Sequence, residues 1–185
     1  MLRSLTVFLV VATLSGCLTV QFGEPYDKVI DDELNSFQKS TAEFLKSMQQ
    51  NSGNAKSSYG SDESKKYYAS SSASLSNMML RASLLSDREC PSQRVAKIAT
   101  PALTPSVERL DRAEAGLGIS SSNNEGTFAG MNCSTVAIWS LQETHKNLEA
   151  DHREYGRLSA GVAQLNGLSI DQSVRVALTT VRANK

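Results

Sequence analysis

From residue 26 onward the apolar residues step by three and four, and no stretch alternates apolar with polar as a half-buried strand must. Tyr26, Ile30, Leu34, Phe37, Thr41, Phe44, Leu45 and Met48 follow that spacing and fall on one helix face. A chain patterned this way folds by burying helix stripes against one another. The spacing predicts a first helix from about Tyr26 to Gln50. Asp27, Asp31, Asp32 and Glu33 crowd its start, where the helix dipole favours negative charge, and Asn51–Ser52–Gly53–Asn54 stops it. Tyr68, Leu75, Met78, Met79, Ala82 and Leu85 continue the spacing through a serine-rich stretch. They predict a second helix from about Ser61 to Asp87, ended by Cys90–Pro91. Ala69, Ser72 and Ala73 leave room for a close neighbour.

Further along, Val95, Ile98 and Ala99 begin a helix that Pro101 and Pro105 are expected to interrupt. Thr104–Pro105 has the form of an N-cap with proline at the first helical position. Val107, Leu110, Ala113 and Leu117 then carry the face to Gly116 and Gly118, and residues 119–130 read as a loop. The longest periodic run predicts a helix from about Cys133 to Asn166. Within it Leu141, Leu148, Tyr155 and Val162 recur every seven residues, as do Ile138, His145, His152 and Ser159, a heptad-like seam. Gly167 is expected to stop it. Ser169–Ile170–Asp171–Gln172 has the pattern of a capping box that opens a last helix with Ile170, Val174, Ala177, Leu178 and Val181 on one face. Four to five helices on short connections give an all-α fold, and an antiparallel bundle is the economical arrangement.

The N-terminus is of another kind. Arg3 precedes the apolar run Leu5–Leu14, which is about half the length needed to cross a bilayer. A positive start before a short apolar run has the form of a secretory signal. It ends in Leu14–Ser15–Gly16–Cys17, which resembles the lipobox of bacterial lipoproteins. That resemblance implies cleavage before Cys17 and a thioether-linked diacylglycerol on its thiol, with small Ser15 and Gly16 admitting the peptidase to the backbone. One acyl chain binds a membrane only marginally, so a stable anchor needs two or three. Residues 1–16 are then a signal peptide, 17–25 a lipidated cysteine and tether reaching at most about 25–30 Å, and 26–185 the bundle. Leu18 stands where an aspartate would favour the inner membrane, so the family resemblance implies the outer membrane, facing the periplasm. Tyr26–Asp27–x–x–Ile30–Asp31, with Leu34 and Phe44, also resembles the opening of small uncharacterised helical lipoproteins of Gram-negative bacteria. These bring no known activity.

The chain has three cysteines. With Cys17 carrying lipid, Cys90 and Cys133 are an even pair in an oxidising compartment, and a disulfide between them is expected. A reactive thiol pair is the other reading, although no C-x-x-C occurs. Formal net charge is zero with no basic stripe, which argues against a nucleic-acid partner.

His145–Lys146–Asn147–Leu148–Glu149–Ala150–Asp151–His152 is the one constellation with metal-ligand spacing. His145, Glu149 and His152 project from one helix face, and Glu149 and His152 form the i, i+3 pair of di-metal bundles. A di-metal site would need a second such pair, yet there is no third histidine and the matching upstream position is Gln142. A mononuclear two-His, one-carboxylate site remains, against the alternative that both histidines flank the core. No G-x-S-x-G elbow is present, and Gly116–Leu117–Gly118 is a lone G-x-G with no strand before it. Tyr67–Tyr68 with Met78–Met79 reads as core. Two functions follow as expectations. The first is a non-enzymatic binding or scaffolding lipoprotein, held by membrane lipid at Cys17 and binding an envelope protein or cell-wall partner, with no cofactor. The second is a metal-binding or redox-linked envelope bundle using His145, Glu149 and His152.

Overall fold

A computed structural model of the chain describes residues 25–86, 88–103 and 128–183. The described residues form five α-helices: α1 Lys28–Gln50, α2 Asp62–Ser83, α3 Ser92–Leu103, α4 Cys133–Tyr155 and α5 Ala160–Arg182. A 3-10 turn at Ala55–Ser57 lies between the first two. The all-α bundle expected from the periodicity is therefore present. The signal peptide, Cys17 and the tether as far as residue 24 lie outside the described residues, as does the segment from Thr104 to Leu117.

Local chemistry sets each helix start. Asp27 caps α1, its Oδ1 accepting from the amides of Val29 and Ile30. Ser61 caps α2 through Ser64 N–H, Asn132 caps α4 through Thr135 N–H, and Ser159 caps α5 through Val162 N–H. Each side-chain oxygen satisfies an amide that has no partner within its helix, typically worth about 1 kcal/mol.

Helices α1, α2, α4 and α5 pack in a ring, each against two neighbours, and α3 lies outside on α4 and α5. Polar contacts fix the directions. Arg81 near the end of α2 meets Asp27 at the start of α1 (2.6 Å), and Arg182 at the end of α5 meets Asp31. Gln38 of α1 donates to Asp171 of α5, and the Asn132 side chain donates to the carbonyl of Ala82. Neighbours in the ring thus run antiparallel. The core is Ile30, Leu34, Phe37, Phe44 and Met48 of α1 with Leu75 and Met78 of α2, Ile138, Leu141 and Leu148 of α4, and Ile170 and Val174 of α5.

Several boundaries differ from the sequence reading. The long helix expected from Cys133 to Asn166 ends at Tyr155. Gly156 adopts φ +70°, the left-handed conformation of a helix C-cap. Leu158 is buried in the connection and Ser159 begins the next helix, so the seven-residue seam breaks: Tyr155 is 42% exposed and Ser159 is a cap. Gly167, expected to stop a helix, lies inside α5. A Cβ there would come within 3.2 Å of Leu45 Cδ1, so glycine at this position serves close packing of α5 on α1. Ser169 is not a cap; its carbonyl accepts from Ser173 Oγ. Pro101, expected to interrupt, lies within α3, which buries Ile98 and Ala99 one turn before it. At the other ends, α1 starts at Lys28 rather than Tyr26 and α2 stops at Ser83 rather than Asp87.

Cys90 and Cys133 form a disulfide across 43 residues of sequence. It joins the α2–α3 connection to the first residue of α4. Both cysteines are buried, and Cys90 N–H donates to the carbonyl of Met131 at 2.8 Å. Constraining a loop of that length in the unfolded chain stabilises the fold by about 4 kcal/mol in the chain-entropy treatment. The Cys90→Ser, Cys133→Ser chain should lose that much in urea unfolding while keeping its helical circular dichroism under folding conditions.

Candidate functional site

The sequence singled out His145, Glu149 and His152, and the structure places all three on the face of α4 that meets α2. The two imidazoles are buried, at 1% and 0% exposure, while the Glu149 carboxylate lies at the half-buried edge. Around them α1 contributes Phe37 and Phe44, the α1–α2 connection contributes Ser57 and Tyr59, and α2 contributes Tyr67, Tyr68 and Ser71.

Adjacent residues on a helix point about 100° apart. Tyr67 accordingly turns to α1, stacking on Phe44 at 3.9 Å and donating to Thr41 Oγ1 at 2.9 Å. Tyr68 turns to α4 and meets His152 Nδ1 at 2.9 Å. On its other side, His152 Nε2 lies 3.0 Å from the carbonyl of Ser57. A carbonyl can only accept, so Nε2 carries a proton; in the neutral ring Nδ1 then accepts and the Tyr68 hydroxyl donates. One turn of α2 further on, Ser71 Oγ lies 2.6 Å from the carbonyl of Tyr67 and 2.7 Å from His145 Nε2. The serine's one proton goes to the carbonyl, so His145 Nε2–H donates to Ser71 Oγ.

Both histidines are hydrogen-bonded parts of the core, and burial favours the neutral form of each ring. Burial drives the pKa of His145 down to about 4 against a small opposing effect of Glu149. It lowers that of His152 too, against the bond to the Ser57 carbonyl. Burial raises the Tyr67 and Tyr68 hydroxyls. Tyr59 is also raised, chiefly because it donates to Glu149 Oε1 at 2.8 Å. Arg153 completes the edge, with its guanidinium 5.5 Å from the centre of the Tyr59 ring.

This arrangement does not assemble the expected metal ligands. His152 has both ring nitrogens engaged, His145 is held by Ser71, and Glu149 points to Tyr59. Among the described residues no group of three or more His, Cys, Asp or Glu side chains could hold a metal ion. What sequence reasoning missed is the set of partners. Tyr67 and Tyr68 were read as apolar core, which they are, but their hydroxyls and the backbone of Ser57 organise the imidazoles. Serine abundance gave no sign that Ser71 was special.

Two surface depressions flank the core. One of about 310 Å³ is lined by Tyr59, Lys65, Tyr68 and Glu149 at the α2–α4 edge, with Ala69 and Ser72. The other, of about 250 Å³, lies between α1 and α5 over Leu45 and Gly167. Compared with known proteins, the chain matches no family model, no curated protein sequence and no solved structure.

The buried imidazoles make stability depend on pH. A histidine whose folded pKa lies below its unfolded value of about 6.5 contributes stability that is intact above pH 6.5 and lost as pH falls toward the folded pKa. His145 should cost up to about 3 kcal/mol between pH 6.5 and 4. The urea midpoint should fall across that window in the wild type and fall less in a His145→Gln chain, which keeps a donor for Ser71. A separate loss below pH 4 should follow the Asp31 carboxyl, held at about 2 mainly by Arg182. Independently of pH, Tyr68→Phe removes the donor to His152 Nδ1 and should destabilise by about 1–3 kcal/mol in the same assay.

Proposed function

We propose that this chain is an exported lipoprotein, lipidated on Cys17, whose helical bundle is a non-enzymatic binding or scaffolding module in the bacterial envelope, on the periplasmic face of the outer membrane. The reading rests on one observation above the others. Cys90 and Cys133 are joined and buried, which leaves Cys17 as the remaining cysteine, at the end of a short apolar run and in a lipobox context. A structural disulfide suits an oxidising compartment outside the cytoplasm.

Two further features accompany it. No helix among the described residues is long and apolar enough to cross a membrane. The residues that most resembled a reactive site are neutral and satisfied within the core, so binding would fall to the surface. An envelope protein or a cell-wall component within reach of a tether of about 25–30 Å is the partner class this reading implies.

The test is made on the full-length protein produced in a Gram-negative host, wild type beside Cys17→Ser. Mass spectrometry of the N-terminal peptide should find the wild type cut before residue 17 and diacylated or triacylated there. The Cys17→Ser protein should lose the lipid and leave the membrane fraction, with its urea unfolding unchanged. Cross-linking in intact membranes should then capture a reproducible partner that weakens in Cys17→Ser. A wild-type chain with residues 1–16 intact and no acyl mass would overturn the anchoring, and lipidation without any partner would overturn the scaffold role.

A further inference from the structure

We infer that the end of the bundle carrying Leu80 of α2 and Leu84, the C-cap of that helix, rests on the phospholipid surface to which the chain is tethered; this rests on the lipidation of Cys17 proposed above. Leu84 is 80% and Leu80 66% exposed, the highest values among large apolar side chains of the described residues. They are four residues apart, so they share one face of α2, opposite the face that buries Leu75, Met78 and Ala82.

Their position in the bundle points to the occupant. The ion pair of Arg81 with Asp27 lies beside Leu80 and ties the end of α2 to the N-cap of α1. The chain therefore comes into the folded body from Cys17 at the same tip where Leu84 closes α2. Only residues 18–24 separate the anchor from Pro25, a span of at most about 25–30 Å. A lipid surface is thus held permanently within reach of that tip. Val29, 43% exposed on the first turn of α1, adds to the apolar surface of this end.

The charges there are mixed. Lys28 is paired with Asp32, Arg81 with Asp27 and Arg182 with Asp31. Attraction to the membrane is therefore apolar rather than electrostatic, and it should not weaken as salt is raised. The α1–α5 side of the bundle also exposes a leucine, Leu168 at 63%, near Leu45 and several turns of α5 before Arg182, away from the tip where the tether arrives. It provides the matched control.

The experiment uses lipidated full-length protein in phosphatidylethanolamine–phosphatidylglycerol vesicles, with and without acyl chains brominated to quench tryptophan. Leu84→Trp and Leu168→Trp are compared after subtracting the emission of the chain's own Trp139 in the wild type. Bromolipid should quench the tryptophan at position 84 several-fold more than the one at position 168, equally at low and high salt. Vesicle-bound protein with no quenching at 84, or with equal quenching at both positions, overturns the inference and leaves the anchoring intact. Quenching lost at high salt overturns the apolar basis. A wild-type chain that fails to float with vesicles removes the anchoring and the inference together. A blue shift at position 84 in the unlipidated Cys17→Ser background, growing with protein concentration, would assign the face to a second copy of this chain instead.

Discussion

The bundle depends on burying two imidazoles without charging them. A histidine at 0% exposure has no water to satisfy it, so every ring nitrogen left without a partner would cost about 1–3 kcal/mol. That requirement places more of the chain than the two residues themselves. To meet His152, the α1–α2 connection must bring the Ser57 carbonyl inward, and α2 must turn Tyr68 toward α4. To meet His145, Ser71 must already have given its proton to the carbonyl of Tyr67. The antiparallel contact of the connection with the far end of α4 follows the same constraint: Tyr59 N–H donates to the carbonyl of Gly156, and Ser58 bridges Arg157.

Polar groups therefore do for the α2–α4 contact what leucines do elsewhere. Where α1 meets α5 the contact is close because Gly167 admits Leu45, and it is given direction by Gln38 with Asp171. Where α2 meets α4 the ridge is aromatic and hydrogen-bonded, with Tyr68 and His145 at 5.7 Å and Phe37 edge-on to His145. Apolar contacts tolerate sliding. A donor matched to one acceptor does not, so this face sets the register of α2 against α4. The other tip is fixed differently, by the disulfide and by Asp27 and Asp31. Burial opposes the ionisation of Asp27, yet the bonds from Arg81 and from the amides of Ile30 and Val29 keep its carboxyl below the usual range.

Much of the fold was legible because burial writes itself into spacing. Every member of the ladder of α1 from Ile30 to Met48 is buried, and Asp31, paired with Arg182, is buried beside them. Cysteine counting led to the Cys90–Cys133 pair. Periodicity failed where glycine was the deciding residue. Gly156 and Gly167 look alike in sequence, and the apolar spacing runs on through the first and pauses at the second. The distinction lies in what each must do. Gly156 needs a left-handed backbone and has open space around it, whereas Gly167 has ordinary helical geometry and a Cβ there would crowd Leu45 Cδ1 at 3.2 Å. Ser159, three residues after Gly156 and just before a helical run, was the local signal that went with the first. The candidate site was legible in its location but not in its chemistry. Spacing put His145, Glu149 and His152 on one face; only the packed structure brings Tyr59, Tyr68, Ser57 and Ser71 from distant segments to occupy them.

That outcome bears on where activity can reside. An imidazole acts near neutral pH only if it can exchange a proton or offer a lone pair to something other than its neighbours. Burial favours the neutral form of both rings, and in His152 both nitrogens are engaged by the fold itself. Opening that ring to a ligand would break the contact that orders the α1–α2 connection, so ligation and folding would compete for the same atoms. The surface is under no such competition. Glu149 and Arg153 form a polar edge beside Tyr59, and the side chains of Leu80 and Leu84 stand largely exposed. Side chains that the fold does not require are the ones free to meet another molecule, and in this chain they lie on the edge of α2 and α4 and at the tip beside Asp27.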